Sequence, residues 1–309
     1  MPELPEVENL RLGLEHYIIN QKILKIEVSK PKLVSGKSTK RTPSKKKVEE
    51  FIHGLKNEKF LAIERRAKNL IFKLSHDKII LVHLKMTGQF AYSPFEASAK
   101  KGKPQKKKES MVGGHPIEIS ETTLPNKHTH IIFYLDKGTL YYNDTRMFGY
   151  VLYYKNEKEF AKENHFKKYG LEPVDKNFTP KYFAENLNKK KSVIKKVLLD
   201  QDIVTGVGNI YADESLFEAG ILPTRNANTL NKEEVSKLHK AINRIIRKAI
   251  KVGGSSVATY RLIDSSRGNY AREHKVYGKD GEECFICKTK LQKTLIGSRT
   301  TIYCKKCQK

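Results

Sequence analysis

Apolar residues recur at helical spacing from the start of the chain: Val7, Leu10, Leu14 and Ile18 fall on one face. Pro5 suits a first helical position, and Glu6 and Glu8 suit the first turn. The period then shortens. Residues 22–28 read as a strand, 60–74 alternates, 78–92 reads as a further strand after the turn Ser75-His76-Asp77-Lys78, and 130–135 with 139–143 form a hairpin around Asp136-Lys137-Gly138. Tyr150–Tyr154 adds one more strand. Several short strands with turn signals predict an antiparallel sandwich. Between them, Lys30–Lys47 carries eight basic residues and no acid, with Pro31, Gly36 and Pro43, and reads as a mobile loop. Residues 93–127 read as irregular, and Ala97–Lys108 carries six lysines. That stretch reads as a basic insertion adding general phosphate affinity.

After Tyr154 the pattern turns helical. Gly170-Leu171-Glu172-Pro173 reads as a linker. Thr179 can cap a helix with Pro180 in its first turn, and Ser192 can cap a second that ends near Asp200. Asn209 opens a third that stops at Gly220. Asn231 and Glu234 have capping-box spacing for a fourth, whose Val235, Leu238, Ile242, Ile245 and Ala249 form one face. Gly253-Gly254 ends it. A stretch rich in Ser and Gly leads into a cysteine-bearing tail.

Charge narrows the partner. Among 309 residues there are 60 Lys plus Arg against 34 Asp plus Glu, a net charge of +26. Such an excess points to a polyanion. No apolar run approaches the ~20 residues of a membrane span, and the acidic start is not a signal peptide. The four cysteines lie in the last 26 residues and suit a reducing compartment, not a disulfide framework.

Three motifs carry chemistry. Cys284-x2-Cys287-x16-Cys304-x2-Cys307 has zinc-ribbon spacing. Four thiolates fill a tetrahedral shell, so the expected Zn2+ is structural, and its use is to aim the tip around Gly297-Ser298-Arg299-Thr300. No organic cofactor is expected. Gly206-Val207-Gly208-Asn209 precedes a helix, where glycines let a phosphate approach backbone N–H groups. The N-terminus, Met1-Pro2-Glu3-Leu4-Pro5-Glu6-Val7-Glu8, exposes a secondary amine if Met1 is removed. An α-amino group has a pKa of roughly 7.7–8.0, so part of it is a nucleophile at neutral pH. Read alone, the two prolines only start a helix.

Together these segments resemble the formamidopyrimidine-DNA glycosylases over nearly the whole chain. The N-terminal motif matches, as do Arg65-Arg66-Ala67-Lys68, His83-Leu84-Lys85-Met86-Thr87-Gly88, Lys127-His128-Thr129-His130, Asp144-Thr145-Arg146-Met147-Phe148-Gly149, Asp200–Pro223 and the cysteine finger with Arg299. The implied fold is α+β and multidomain. An N-terminal antiparallel β-sandwich with an N-terminal helix spans 1–154, with the insertion at about 93–127. A linker covers 155–178, a helical helix–two-turns–helix domain 179–272, and a zinc finger 273–309.

The implied activity is bifunctional: a glycosylase for oxidised purines (8-oxoguanine, formamidopyrimidines) and an AP lyase, acting on double-stranded DNA. Pro2 is implied as nucleophile, Glu3 as proton donor, Lys68 as an aid at the reacting nucleotide, and Arg299 as an aid to the second elimination. A base inside a duplex must be flipped out to be reached. Met86, Arg146 and Phe148 are implied to fill the void, although Met86 and Phe148 also suit a core. His83, His128, Lys190, Asn209, Tyr277 and Lys293 are implied DNA contacts. Residues 255–270, with Ser256, Arg267, Gly268 and Tyr270, are the implied loop over the flipped base. A cytoplasmic, bacterial-type monomer associated with the nucleoid is expected.

The chain departs from the family at Asn69, where an aromatic is usual, at Lys85, where glycine is usual, and at Met147, where a basic residue is usual. The lesion loop diverges most. Two other readings stand beside this one. An endonuclease VIII-like enzyme for oxidised pyrimidines usually begins Pro-Glu-Gly-Pro-Glu, and Leu4 speaks against it. A non-catalytic zinc protein that binds nucleic acid makes the N-terminal amine irrelevant.

Overall fold

The computed structural model describes residues 1–37, 41–95, 111–114, 124–255 and 268–309. The chain divides into two compact units. The first comprises Met1–Pro2, Glu6–Asn164 and Ser255–Gly268, and the second Glu3–Pro5, His165–Gly254 and Asn269–Lys309. Among the described residues no helix is long and apolar enough to cross a membrane.

The first unit is built from α1 (Leu4–Ile18), β1 (Ile23–Val28), α2 (Lys45–Leu55), β2 (Phe60–Arg66), β3 (Asn69–Leu74), β4 (Ile79–His83), β5 (Gly88–Pro94), β6 (Met111–Gly114), β7 (Thr129–Leu135), β8 (Gly138–Asp144), β9 (Tyr150–Tyr154) and α3 (Glu157–Lys162). One antiparallel sheet runs β1-β7-β8-β5-β6 and the other β2-β3-β4-β9. Their inner faces form one core, where Phe60, Phe72, Phe90, Phe133 and Tyr142 meet edge to face at centroid distances of 5.3–6.5 Å. Each such buried ring contributes roughly 1.5–3 kcal/mol relative to exposure. Val7, Leu10, Leu14 and Ile18 of α1 are all buried in this core, as their spacing requires.

Three stretches differ from the sequence reading. Residues 78–92 are not one strand. The chain breaks between β4 and β5, which join different sheets: Lys85 takes a left-handed φ of 52°, and the Gly88 amide closes on the Leu84 carbonyl at 2.9 Å. A Cβ on Gly88 would lie 2.5 Å from that carbonyl oxygen, so a side chain does not fit. The described parts of the basic stretch, 30–37 and 41–47, are anchored. Leu33 and Val34 are buried, and Ser44 caps α2 by accepting from the Lys47 amide. The insertion is not wholly irregular, because β6 pairs with β5 and extends the five-stranded sheet.

Helix α1 is fastened to the β2–β3 hairpin by charge. Glu8 accepts from Arg11 at 2.7 Å and from Arg65 at 2.6 Å, and Arg11 also reaches the Ile63 carbonyl. Burial works to raise the Glu8 carboxyl, but the two guanidiniums outweigh it and hold it below the usual carboxylate range.

The second unit contains α4 (Pro180–Asn188), α5 (Ile194–Leu199), α6 (Asn209–Ala219), α7 (Lys232–Lys251) and the hairpin β10 (Gln292–Ile296) and β11 (Arg299–Tyr303). Thr179 caps α4, the Asn231–Glu234 capping box opens α7, and Gly220 ends α6 at φ 71°. Ser192 does not cap α5. Val193 pairs with Asn226, and the first amides of the helix, Ile194 and Lys195, donate to the carbonyls of Arg225 and Pro223. A backbone partner there replaces the hydroxyl.

Two charges are buried between α5 and α6. Lys195, fully buried, donates to Asp213 at 2.6 Å and to the Asn209 carbonyl at 3.0 Å. Asp213 in turn accepts from the Ile302 amide of β11. Breaking such a pair from one side leaves a buried charge uncompensated.

His274 is buried with its ring between Tyr270 and Tyr277, at centroid distances of 5.8 and 5.5 Å. Burial pushes its pKa down from 6.5 to about 4. The unfolded chain therefore binds the proton more readily. The stability carried by the neutral ring is fully present above pH 6.5 and is lost as pH falls towards 4, about 2 kcal/mol of it by pH 5. Urea unfolding at pH 7 and pH 5 is expected to show that loss in the wild type and a flatter dependence in His274→Gln. Equal slopes in the two proteins would remove His274 as the cause.

Candidate active site and nucleic-acid interface

In the first unit Pro2 is buried directly before α1, while Met1 is 44% exposed. Lys68 lies in the two-residue turn between β2 and β3, where Ala67 takes a left-handed φ of 56°. Its side chain is nine-tenths buried for a lysine that a solvated turn would leave exposed. Arg65 braces the turn by donating to the Ala67 carbonyl at 3.0 Å while it holds Glu8.

Behind the turn is a polar layer. The Tyr150 hydroxyl donates to Asn69 Oδ1 at 3.2 Å, and Asn69 Nδ2 donates to the Arg66 carbonyl. These hydrogen bonds satisfy the Asn69 amide in a buried place. His83 is buried, packs at 5.7 Å from the Tyr150 ring and accepts the Lys85 amide on Nδ1 at 3.0 Å. Burial first, then the cations of Lys85 and Lys68, drive its pKa well down, so the ring is neutral.

In the second unit the Glu3 carboxylate sits on the N-terminus of α6. It accepts from the Gly208 amide at 2.8 Å and the Ile210 amide at 2.9 Å, and it is almost fully buried. These amides have no partner within the helix, and the helix dipole favours a negative group at this end. The glycines at 206 and 208 were expected to admit a phosphate to these N–H groups; the Glu3 carboxylate takes them instead. A Cβ on Gly208 would lie 2.4 Å from Glu3 Cδ, so the site requires glycine for space, not for backbone freedom. Gly206 needs both, since it has φ 92° and a Cβ there would meet Leu4 at 2.5 Å.

Around the same helix end stand Asn209, Tyr277 and Arg299. Asn209 donates to the Thr300 carbonyl at 2.8 Å, tying α6 to the tip of the β10–β11 hairpin that presents the exposed Arg299. The Tyr277 hydroxyl is raised in pKa by burial first, then by the Glu3 and Asp213 carboxylates, while Asn209 and Arg299 oppose the shift. Glu3, Asn209, Asp213, Tyr277 and Arg299, from four segments remote in sequence, thus share one electrostatic neighbourhood.

Met86, Arg146 and Phe148 also meet, in the first unit. Met86 and Phe148 are 39% and 38% exposed, so neither is core packing. The Arg146 guanidinium lies 4.6 Å over the Phe148 ring and 3.1 Å from the Met86 sulfur. Their two loops are stapled by Asp144 and Thr87. Thr87 donates to Asp144 at 2.5 Å, the Arg146 amide donates to Thr87 at 3.0 Å, and the Gly149 amide donates to Asp144 at 2.7 Å. Sequence reading did not single out Asp144 or Thr87; a polar pair within two matched motifs was the signal available.

The other implied contacts are more dispersed. His128 is half-buried, with its amide donating to Asn126 and its carbonyl accepting from Asp144. Lys190 pairs with Asp200 at 3.1 Å, and Lys293 pairs with Asp280. Ser256 and Arg267 lie outside the described residues. The ends of that loop are held: Ser255 donates to Glu6 at 2.7 Å in the first unit, and the amides of Asn269 and Tyr270 reach the Val252 and Gly254 carbonyls in the second. Gly268 and Tyr270 are buried, and the Tyr270 ring packs 5.6 Å from Tyr211.

The four cysteine sulfurs lie within 4.8 Å of one another, with Cys284–Cys307 at 3.8 Å and Cys287–Cys304 at 3.4 Å. Sulfurs 2.3 Å from a tetrahedral ion stand about 3.8 Å apart, so the cluster can hold a metal ion. All four ligand positions come from protein, which leaves none for substrate. Gln308 and Lys309 dock the finger on the end of α6 through the Ile221 and Gly220 carbonyls.

Comparison with known proteins finds matches to both units of the fold. Residues 1–151 match the family model for the formamidopyrimidine-DNA glycosylase N-terminal domain, and residues 169–261 match that for its H2TH domain. The formamidopyrimidine-DNA glycosylase of Listeria innocua is 37% identical over 310 residues, covering all of both chains. Among solved structures, the Lactococcus lactis Fpg in complex with DNA containing an abasic site superposes with a TM-score of 0.81 at 34% identity, covering 99% of each chain. The same values hold for that protein with DNA containing an N7-benzyl-Fapy-dG.

The fit of Glu3 against Gly208 has a direct consequence. Gly208→Ala is expected to push the carboxylate off the helix end, expose the Ile210 amide to exchange and lower stability by about 1–3 kcal/mol, the cost of an unsatisfied buried polar group. Hydrogen exchange and thermal melting read this, and an unchanged Ile210 amide in the variant would exclude the contact.

Proposed function

The chain belongs to the formamidopyrimidine-DNA glycosylase family, and from that premise we propose that it is a bifunctional DNA glycosylase and AP lyase of base-excision repair. Its substrate is duplex DNA holding oxidised purines, 8-oxoguanine and formamidopyrimidines, or abasic sites. The observation that carries the reading is the anchored Glu3: the residue after Pro2 is locked by its carboxylate onto the N-terminus of α6.

The chemistry follows from the residue types. With Met1 removed, the Pro2 nitrogen attacks C1′ of the damaged nucleotide. The C1′–N bond breaks, and the departing base takes a proton from solvent. The Pro2 N–H proton passes to the Glu3 carboxylate, which delivers it to O4′ as the sugar ring opens. The secondary amine leaves an iminium that cannot shed its charge, so it acts as an electron sink. Loss of a C2′ proton then expels the 3′ phosphate, and a second elimination expels the 5′ phosphate. Lys68 assists the first elimination and Arg299 the second. Arg146 hydrogen-bonds the orphaned cytosine, Phe148 wedges between bases and Met86 fills the gap. His83, His128, Lys190, Asn209, Tyr277 and Lys293 serve the DNA backbone, and residues 255–270 close over the extruded base. Cys284, Cys287, Cys304 and Cys307 would hold a Zn2+, which would supply folding energy for a segment with few apolar residues and aim Arg299.

Borohydride is expected to trap the enzyme covalently on an 8-oxoguanine:cytosine duplex and to trap Pro2→Gly far less, with DNA binding preserved. Binding without an adduct in the intact enzyme would move the protein to a non-catalytic class. Faster reaction on a thymine glycol duplex would make it an enzyme for pyrimidines.

Cys304→Ser is expected to lower zinc content and weaken DNA binding together. A variant with full zinc and wild-type affinity would refute the structural role of the metal.

A further inference from the structure

We propose that Arg41 is a positioning residue for the Arg146–Phe148 wedge, gripping the backbone on both sides of Phe148 and so setting how readily the wedge enters a duplex. The inference rests on the reading of that loop given above. Arg41 lies in the basic stretch that the sequence suggests is a mobile loop, and none of the matched motifs contains it. In the fold its Nη2 donates to the Met147 carbonyl at 3.0 Å and to the Gly149 carbonyl at 2.6 Å.

The loop needs such a hold because of where it runs. It leaves β8 in one sheet and enters β9 in the other, so no ladder of hairpin bonds supports it. Met147 takes a left-handed φ of 52°, a conformation that costs a non-glycine residue about 1 kcal/mol or more and persists only when the surroundings enforce it. Three supports enforce it. The Met147 amide closes a turn on the Asp144 carbonyl at 3.2 Å, the Asp144 carboxylate and Thr87 hold the amides of Gly149 and Arg146, and Arg41 holds the carbonyls of Met147 and Gly149. With the backbone pinned, Phe148 stays 38% exposed, with Arg146 laid over its ring.

The chemistry suits arginine. Both bonds leave Nη2, whose two hydrogens lie fixed in the guanidinium plane, and the group stays charged even where burial pulls its pKa down, as it does for Arg41. A lysine ammonium has the charge without that fixed plane. Its placement under the backbone also differs from a phosphate contact, which a lysine would serve as well.

The test compares Arg41→Lys, Arg41→Gln and Phe148→Ala with the wild type in three assays. Single-turnover excision from an 8-oxoguanine:cytosine duplex requires the wedge. Cleavage at a preformed abasic site in single-stranded DNA does not. The salt dependence of duplex binding counts phosphate contacts. Both Arg41 variants are expected to slow duplex excision by roughly tenfold to a hundredfold, as misplacement of a reacting constellation does. Single-stranded cleavage should stay near the wild-type rate, and the salt slope should be unchanged.

Rescue by Arg41→Lys, with a slope lowered by about 1 in Arg41→Gln, would make Arg41 a phosphate contact and overturn the proposal. Equal loss in both cleavage assays would make it a general structural residue and also overturn it. If Phe148→Ala slows duplex excision and the Arg41 variants do not, the proposal fails while the wedge stands. If none of the three variants affects duplex excision, the wedge reading fails and takes the proposal with it.

Discussion

The contact on which the most depends is the one between Glu3 and the amides of Gly208 and Ile210. It joins residues 205 and 207 positions apart. A helix N-terminus has donors without partners, and a carboxylate meets that need better than water can in a buried place. The surroundings are built around it. Gly208 is glycine because the carboxylate fills the space of its side chain, and Gly206 bends beneath Leu4, whose amide donates to the Gly206 carbonyl. Lys195 lies under the same helix end with Asp213, and through Asp213 the strand that carries Arg299 is tied in. One carboxylate thus places the residue that follows the proposed nucleophile on a rigid element.

The first unit uses charge differently. Glu8 is not a reacting group. It is a fastener between α1 and the β2–β3 hairpin, and it is worth having because Arg65 serves two partners at once, the Glu8 carboxylate and the Ala67 carbonyl. Lys68 is thereby carried on a turn whose geometry is over-determined. Burial of its stem, the neutral His83 and the hydrogen-bonded Asn69 give the turn a firm back. A lysine held this way loses little further rotamer freedom when a phosphate or sugar arrives.

The exposed trio of Met86, Arg146 and Phe148 shows the reverse economy. Two apolar side chains are left in water, and two positive-φ residues, Lys85 and Met147, are tolerated in the loops that present them. Both carboxylate oxygens of Asp144 serve that loop pair, one through Thr87 and one through the Gly149 amide. Strain and exposure of this kind persist where the structure around them enforces it, and they gather where a protein meets its ligand.

Much of this was legible in the sequence. The α1 face, the sandwich, the caps at Thr179 and Asn231, and the cysteine spacing follow from local rules: period, propensity and ligand geometry act within a few residues of one another. The matched motifs also singled out Pro2, Glu3, Lys68, Arg146 and Arg299 as the residues of the proposed chemistry. Local rules failed where a distant group supplied what a near one was expected to supply. Ser192 lost its capping role to the Pro223 and Arg225 carbonyls, the amides near Gly208 went to Glu3 and not to a phosphate, and the stretch 78–92 split because Lys85 turns and Gly88 closes on Leu84. The sequence by itself determined most of the strands and helices and which residue types stand ready for chemistry. Only the tertiary structure decided which partner each buried polar group takes, because a desolvated donor or carboxylate bonds to whatever the fold brings within reach, and no spacing along the chain encodes that.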